Sequence, residues 1–181
     1  DGFQHGATLT MSDGDQIVFG ALAGQTGLAR LTFDASGALQ GHTVLQDATA
    51  GNAAGIAGTA AITVSGQQFI ITTSTSQNSI TARAVDDTGA ITAETSINAD
   101  DGLWINTPTA LDAATVGGTS YLILAAAGTD SLSVVELGID GSMIVRDHVL
   151  DSRDTRFGDV TSLEVIEADG KTYVIAGGAD D

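Results

Sequence analysis

The sequence predicts an all-β fold assembled from repeated four-stranded antiparallel sheets. Three observations predict it. Gly14, Gly66, Gly118 and Gly170 recur every 52 residues. Short apolar–polar alternations, such as residues 28–33 and 132–137, stand between turn residues, and period two is the signature of a half-buried strand. No stretch of a dozen residues keeps the three-and-four spacing of an amphipathic helix.

The repeat is carried by more than one register. Each of the four glycines is followed three positions later by a large apolar residue: Ile17, Phe69, Tyr121 and Tyr173. Leu28, Ile80 and Leu132 share the 52-residue spacing, as do Gly37, Gly89 and Gly141, followed two residues on by Leu39, Ile91 and Met143. In the third unit a first strand over 109–116 leads through Gly117-Gly118 to a second over 121–126. Gly128-Thr129-Asp130 connects to a third strand over 131–137, and a tight turn at 138–141 enters a fourth over 143–150. Asp169-Gly170 is a hairpin dipeptide, because Gly reaches positive φ at no steric cost. The 23 Gly, 23 Thr and single Pro108 fit turns and pleated surfaces.

Four antiparallel strands per unit of about 40–50 residues match the blade of a β-propeller, a sheet that buries its faces only by stacking on neighbours. The chain then holds about 3.5 blades, with units near 7–57, 58–108, 109–159 and a partial 160–181 in one segment. A β-solenoid competes, but its coils are usually shorter; an irregular four-bladed ring or an open sandwich would need no completion. A ring of seven blades would take about twice this length, so a partial ring is expected. Its missing blades come from the rest of the same precursor or from a second chain. The start at Asp1 reads as a processed or excised piece.

Composition removes several functions. Acids outnumber bases 23 to 6, a formal charge of −17 with Lys171 the single lysine. Phosphate binding needs Lys and Arg, so nucleic acid is excluded as a partner, and an anionic membrane surface is disfavoured. The apolar run at 121–127 is far short of the ~20 residues that span a bilayer, so no membrane insertion is expected; no signal peptide is visible. Without cysteine there is no disulfide, thiolate metal site or Cys nucleophile. The apolar fraction of 43% is too high for a disordered acidic tail.

Connections between blades fall on one face of a propeller and are long here: 46–58, 98–108 and 151–159. Binding sits on such loops. In the last, Asp151, Asp154 and Asp159 could supply oxygen ligands to calcium, although Arg153 and Arg156 could neutralise the same acids in an ion-paired structural loop. In the second, Asp100, Asp101 and the sole Trp104 form a candidate ligand or partner face; Trp104 either stacks a ligand or packs between blades. No cofactor is assigned beyond calcium. His5, His42 and His148 are scattered, and no Gly-x-Ser-x-Gly elbow, HExxH or phosphate loop occurs, so no catalytic set is named.

The stretch from Gly118-Thr-Ser-Tyr-Leu-Ile-Leu to Val134, with its partner Gly170-Lys-Thr-Tyr-Val-Ile-Ala-Gly-Gly-Ala-Asp-Asp181, resembles the repeated β-units of secreted bacterial calcium-binding proteins of the haemolysin-type (RTX) group. That resemblance implies type I secretion and an extracellular or cell-surface setting rich in calcium. The nonapeptide calcium array of that group is absent, so its calcium sites do not carry over. The Asp-x-x-Gly turns are also similar to those of lactonase-like seven-bladed propellers. The reading that follows is a non-enzymatic interaction or assembly module of a secreted bacterial surface or matrix protein. The alternatives are half of a lactonase-like hydrolase, with acids and a His gathered at the axis, or a carbohydrate-binding propeller using Trp104.

Overall fold

A computed structural model describes residues 3–22, 27–45 and 54–179. The expectations placed on 46–53 and on the last two residues lie outside them. The described residues form three complete four-stranded antiparallel sheets and one two-stranded sheet. The first blade is β1 (Phe3–Thr10), β2 (Gln16–Leu22), β3 (Leu28–Phe33) and β4 (Leu39–Leu45). The second is β5 (Ile56–Val64), β6 (Gln67–Ser74), β7 (Ser79–Val85) and β8 (Ile91–Ile97). The third is β9 (Pro108–Val116), β10 (Thr119–Ala126), β11 (Ser131–Leu137) and β12 (Met143–Leu150). A half blade follows, β13 (Ser162–Ala168) and β14 (Lys171–Gly177). Each sheet runs in chain order, so every strand pairs with its sequence neighbour. This is the propeller-blade meander that the repeat predicts.

The repeated glycines are there because the backbone demands them. Ser65-Gly66, Gly117-Gly118 and Asp169-Gly170 hold positive φ at both positions, the mirrored two-residue turn whose twist suits a hairpin. The turns between third and fourth strands are longer. Asp34, Asp86 and Gly138 each receive the N–H of the glycine three residues on, and Gly37, Gly89 and Gly141 stand at φ +84, +74 and +81.

The first blade departs from the pattern in its opening hairpin. Met11 N–H donates to the Asp15 carbonyl at 2.8 Å, so this turn carries one residue more than its three counterparts. Strand β1 is therefore displaced by one position. Ala7 pairs with Phe19, whereas Ala60 pairs with Ile71 and Asp112 with Ile123. The strict 52-residue spacing holds from β2 onward and becomes 53 between β1 and β5.

Two of the long turns are clamped by an aspartate. Asp86 Oδ1 accepts from Thr88 N, Thr88 Oγ1 and Ala90 N, and Asp34 does the same with Ser36 and Ala38. Hydrogen bonds from Thr88 first, then from Ala90 N–H, hold the Asp86 carboxyl below its ordinary value of 3.8. Folded Asp86 thus binds fewer protons than unfolded Asp86, and its stabilisation is present above that value and lost as pH falls through the lower folded value. Asp86→Asn is expected to lower the neutral plateau of a melting-temperature profile and to flatten its acid limb below about pH 4, since the variant lacks at neutral pH what wild type loses in acid. An unchanged acid limb would show that the clamp is not what titrates.

The hydrophobic core lies between blades. Ile17, Phe19, Leu28, Ile70 and Val85 fill the space between the first two. Phe69, Ile71, Leu103, Leu122, Leu124, Val135 and Leu137 fill that between the second and third. Ala125, Phe157 and Val160 seat the half blade. The turn glycines take part. A Cβ on Gly89 would collide with Ile17 Cδ1 of the preceding blade, and one on Gly141 would lie 3.4 Å from Phe69 Cε1. β1, β5, β9 and β13 touch in succession, which makes them the inner strands of the arc.

Candidate functional site

Connections from an outermost strand to the next inner strand, and from the second to the third strand of a blade, emerge at the end where the inner strands begin. A recess of about 260 Å³ opens at that end. Its wall is built in levels, one residue from each blade. Strand pairing puts His5, Gly58, Ala110 and Ser162 at one level, opposite Ala21, Thr73, Ala125 and Gly177. Gly6, Thr59, Leu111 and Leu163 form the next level inward, and Ala57, Thr109 and Thr161 the one nearer the opening. The one-residue displacement of β1 is what brings His5 level with Gly58.

Packing explains the small residues. A Cβ on Gly58 would stand 2.9 Å from Leu111 Cβ and 3.2 Å from Leu111 N, so β5 and β9 approach too closely for any side chain there. Thr109 Oγ1 donates to the Val160 carbonyl at 2.5 Å, tying the third blade to the loop that leads to the fourth. Thr59 Oγ1 is buried with no hydrogen-bond partner among the described residues, an arrangement that costs about 1–3 kcal/mol unless a hydroxyl or water satisfies it. Among the described residues the lining holds no carboxylate, Lys or Arg. It offers hydroxyl donors and acceptors beside short apolar surface.

The residues singled out from sequence fall around this mouth in different roles. Trp104 lies in the β8–β9 connection, on the same face as the recess, and is 68% exposed. The expectation that it packs between blades is corrected: its neighbours Leu103 and Ile105, 0% and 6% exposed, occupy that interior instead. Asp100 and Asp101 sit in a 3₁₀ turn, Ala99–Asp101, capped by Asn98. Asp101 Oδ2 accepts from Asn98 N–H and the Asp100 N–H donates to Asn98 Oδ1, so the pair shapes the loop that presents Trp104.

Asp151, Asp154 and Asp159 are not brought together as a ligand set; among the described residues no group of three or more acidic, His or Cys side chains could hold a metal. Asp151 Oδ1 accepts from Phe157 N–H at 2.7 Å and from Thr155 Oγ1, which folds the loop over and lets Phe157 plug the core. Asp154 N–H donates to Ser152 Oγ, and Asp159 N–H to Asp130 Oδ1. Ion pairing of the loop is corrected too: Arg156 Nε donates to the Arg153 carbonyl. Ion pairs stand elsewhere, between Arg83 and Glu94 and between Arg146 and Glu136. His42 and His148 lie on outer strands β4 and β12. His5 is the histidine that lines the recess, and among the described residues no acid joins it in the wall.

The fold matches those of propeller glycoside hydrolases. An exo-β-1,3-galactanase from Clostridium thermocellum is similar over 96% of this chain and 42% of its own, at TM-score 0.64 and 13% identity. An exo-β-1,3-galactanase from Phanerochaete chrysosporium, solved with β-1,3-galactotriose, is similar over 97% and 43%, at 0.65 and 12%. A β-fructofuranosidase from Bombyx mori gives 97% and 43%, at 0.55 and 14%. The chain spans less than half the length of these proteins. No family model matches it, and no curated protein does.

These findings correct two expectations. The resemblance to haemolysin-type calcium-binding proteins is overturned, since the similar solved structures are glycosidase propellers, and the likeness to lactonase propellers is not shown. With it goes the reading as a non-enzymatic assembly module of a secreted surface protein, which had been built on that resemblance.

Proposed function

We propose that the chain is the carbohydrate-engaging part of a propeller protein, holding a neutral sugar at the inner-strand mouth. The observation that carries this is the recess: hydroxyl-bearing Thr59, Thr109, Thr161 and Ser162 with His5 around short apolar residues, on the same face as the exposed Trp104. Sugars present ring hydroxyls to hydrogen-bonding groups and apolar C–H faces to aromatic rings, and both are supplied here. The formal charge of −17 disfavours uronates and sulfated glycans. The likeness to galactanases and a fructofuranosidase supports a sugar as the ligand class. Glycoside hydrolysis needs two carboxylates flanking the scissile bond. The residues that line the described recess argue for the holding of a sugar.

Titration calorimetry with β-1,3-galactotriose, sucrose and a uronate oligomer tests the reading. Binding of a neutral sugar is expected, with Trp104→Ala weakening it about tenfold or more at an unchanged melting temperature. Equal affinity of wild type and variant, or preference for the uronate, would end it.

A further inference from the structure

A latch on the mouth face repeats at the 52-residue spacing. Asn78 and Asp130, in the loops between second and third strands, both hold positive φ, at +48 and +43. Asn78 Oδ1 accepts the Thr107 N–H at 2.9 Å, and Asp130 Oδ1 accepts the Asp159 N–H at 2.9 Å. Gly55, Thr107 and Asp159, which lead into the inner strands of three successive blades, stand at φ +61, +52 and +47. Their carbonyls accept from the N–H groups of Thr75, Ala127 and Ala179. The turn thus demands the left-handed region whichever residue fills it. Glycine is its least strained occupant and aspartate tolerates it, whereas a β-branched side chain there is a rare outlier. Thr107 needs a reason that the latch does not supply.

Its hydroxyl gives one. Thr107 Oγ1 donates to Asn106 Oδ1 at 3.3 Å. The Asn106 backbone is pinned on both sides: its N–H donates to Thr129 Oγ1 at 3.4 Å, and its carbonyl accepts from the Gly128 N–H at 3.0 Å. A Cβ on Gly128 would stand 2.9 Å from the Asn106 carbonyl oxygen, so the two loops are in close contact. Asn106 is nonetheless exposed, and no described residue accepts from its Nδ2. Leu103 and Ile105 are buried while Trp104 and Asn106 alternate with them on the exposed side. Thr109, three residues on, lines the recess. This connection joins β8 to β9, between two complete blades. A held amide with a free donor therefore stands between an exposed aromatic ring and a hydroxyl-lined recess.

We propose that Asn106 is a specificity-determining residue of the sugar site and Thr107 its positioning residue, which rests on the reading of this mouth as a site for a neutral sugar. A sugar ring stacked on Trp104 presents its hydroxyls at the ring's edge, and Asn106 Nδ2 donates to one of them. A fixed donor favours a hydroxyl oxygen within its reach and gives nothing to the epimer that carries the group on the other side of the ring. Glycine at position 107 would serve the turn, as Gly55 does in the preceding blade, but would leave the amide free to rotate. The threonine hydroxyl gives an oriented amide at the expense of backbone strain, the arrangement expected where a binding group is held ready for its ligand.

Titration calorimetry with β-1,3-galactotriose and β-1,3-glucotriose, which differ in the orientation of one hydroxyl on each ring, tests the proposal. The wild-type chain is expected to bind one of them more tightly. Asn106→Ala is expected to weaken that one about fivefold and to bring the two affinities together. Thr107→Gly is expected to lose the same discrimination while melting at or above the wild-type temperature, because glycine relieves the strain. Thr107→Ser keeps the hydroxyl and is expected to retain the discrimination. Equal affinities in the wild-type chain, an Asn106→Ala variant that still discriminates, or a Thr107→Gly variant that binds as wild type or melts lower would each overturn the proposal. In those cases a loss of affinity in Trp104→Ala leaves the sugar site itself standing. A wild-type chain that binds neither trisaccharide nor sucrose overturns both readings together.

Discussion

Glu94→Ala is expected to cost about 3–5 kcal/mol of folding stability, because it strands a buried guanidinium. Arg83 Nε meets Glu94 Oε2 at 2.8 Å, with the two side chains 3% and 23% exposed. Arg83 Nη1 donates to Thr72 Oγ1 at 2.7 Å, and Nη2 has no partner among the described residues. This cation stands on the leading face of the second blade, where the third blade places Val135. Removing both charges with Arg83→Met and Glu94→Met is expected to return the stability to within about 1 kcal/mol of wild type, since well-packed apolar side chains commonly replace a buried pair at no loss. Urea unfolding of the three proteins, followed by circular dichroism, reads both numbers. A single-variant cost below about 1 kcal/mol would mean that the pair behaves like a surface bridge such as Arg146–Glu136.

Phe69→Ala is expected to cost about 3–5 kcal/mol through the cavity it leaves between the second and third blades. Phe69 is 1% exposed and supports Gly141 of the following blade. The informative control is Tyr173→Ala, the same register position on the half blade. There the ring is 46% exposed, and in dilute protein the loss should stay below about 1 kcal/mol. Thermal melts at low concentration compare the two. Similar costs at both positions would mean that the half blade is covered in solution.

The scaffold was legible wherever a residue's demand is local. Gly66, Gly118 and Gly170 stand at φ +93, +86 and +69, which few other residues adopt cheaply, so their spacing marks hairpins whatever the surroundings. Strands β11 and β12 begin and end where the alternation and turns place them. The slip in β1 was not legible, because Asp13-Gly14 looks like Asp169-Gly170 and the extra residue shows only in the pairing of Met11 with Asp15.

Of the two placements open to Trp104, packing between blades fails for a local reason. Leu103 and Ile105 took the interior, and the residue between two inward neighbours in an extended segment points out. The recess itself was hidden in common residue types. Thr59, Thr109 and Thr161 are three among 23 threonines, and only strand pairing shows them gathered around His5. Asp151 was noticed for its charge, but its geometry serves the backbone of its own loop. The family resemblance failed because it rested on the style of the repeat, and alternation with glycine turns is shared by many unrelated β-proteins.

Building the mouth from one residue per blade has a consequence for how such a protein can diversify. His5, Gly58, Ala110 and Ser162 are backbone-equivalent but are encoded in four separate copies of the unit. A change at Ser162 rewrites one quadrant and leaves the other three as they were. Duplication therefore supplies a ready-made frame with independent addresses around its axis, and selection can tune a ligand's fit one address at a time without reopening the fold.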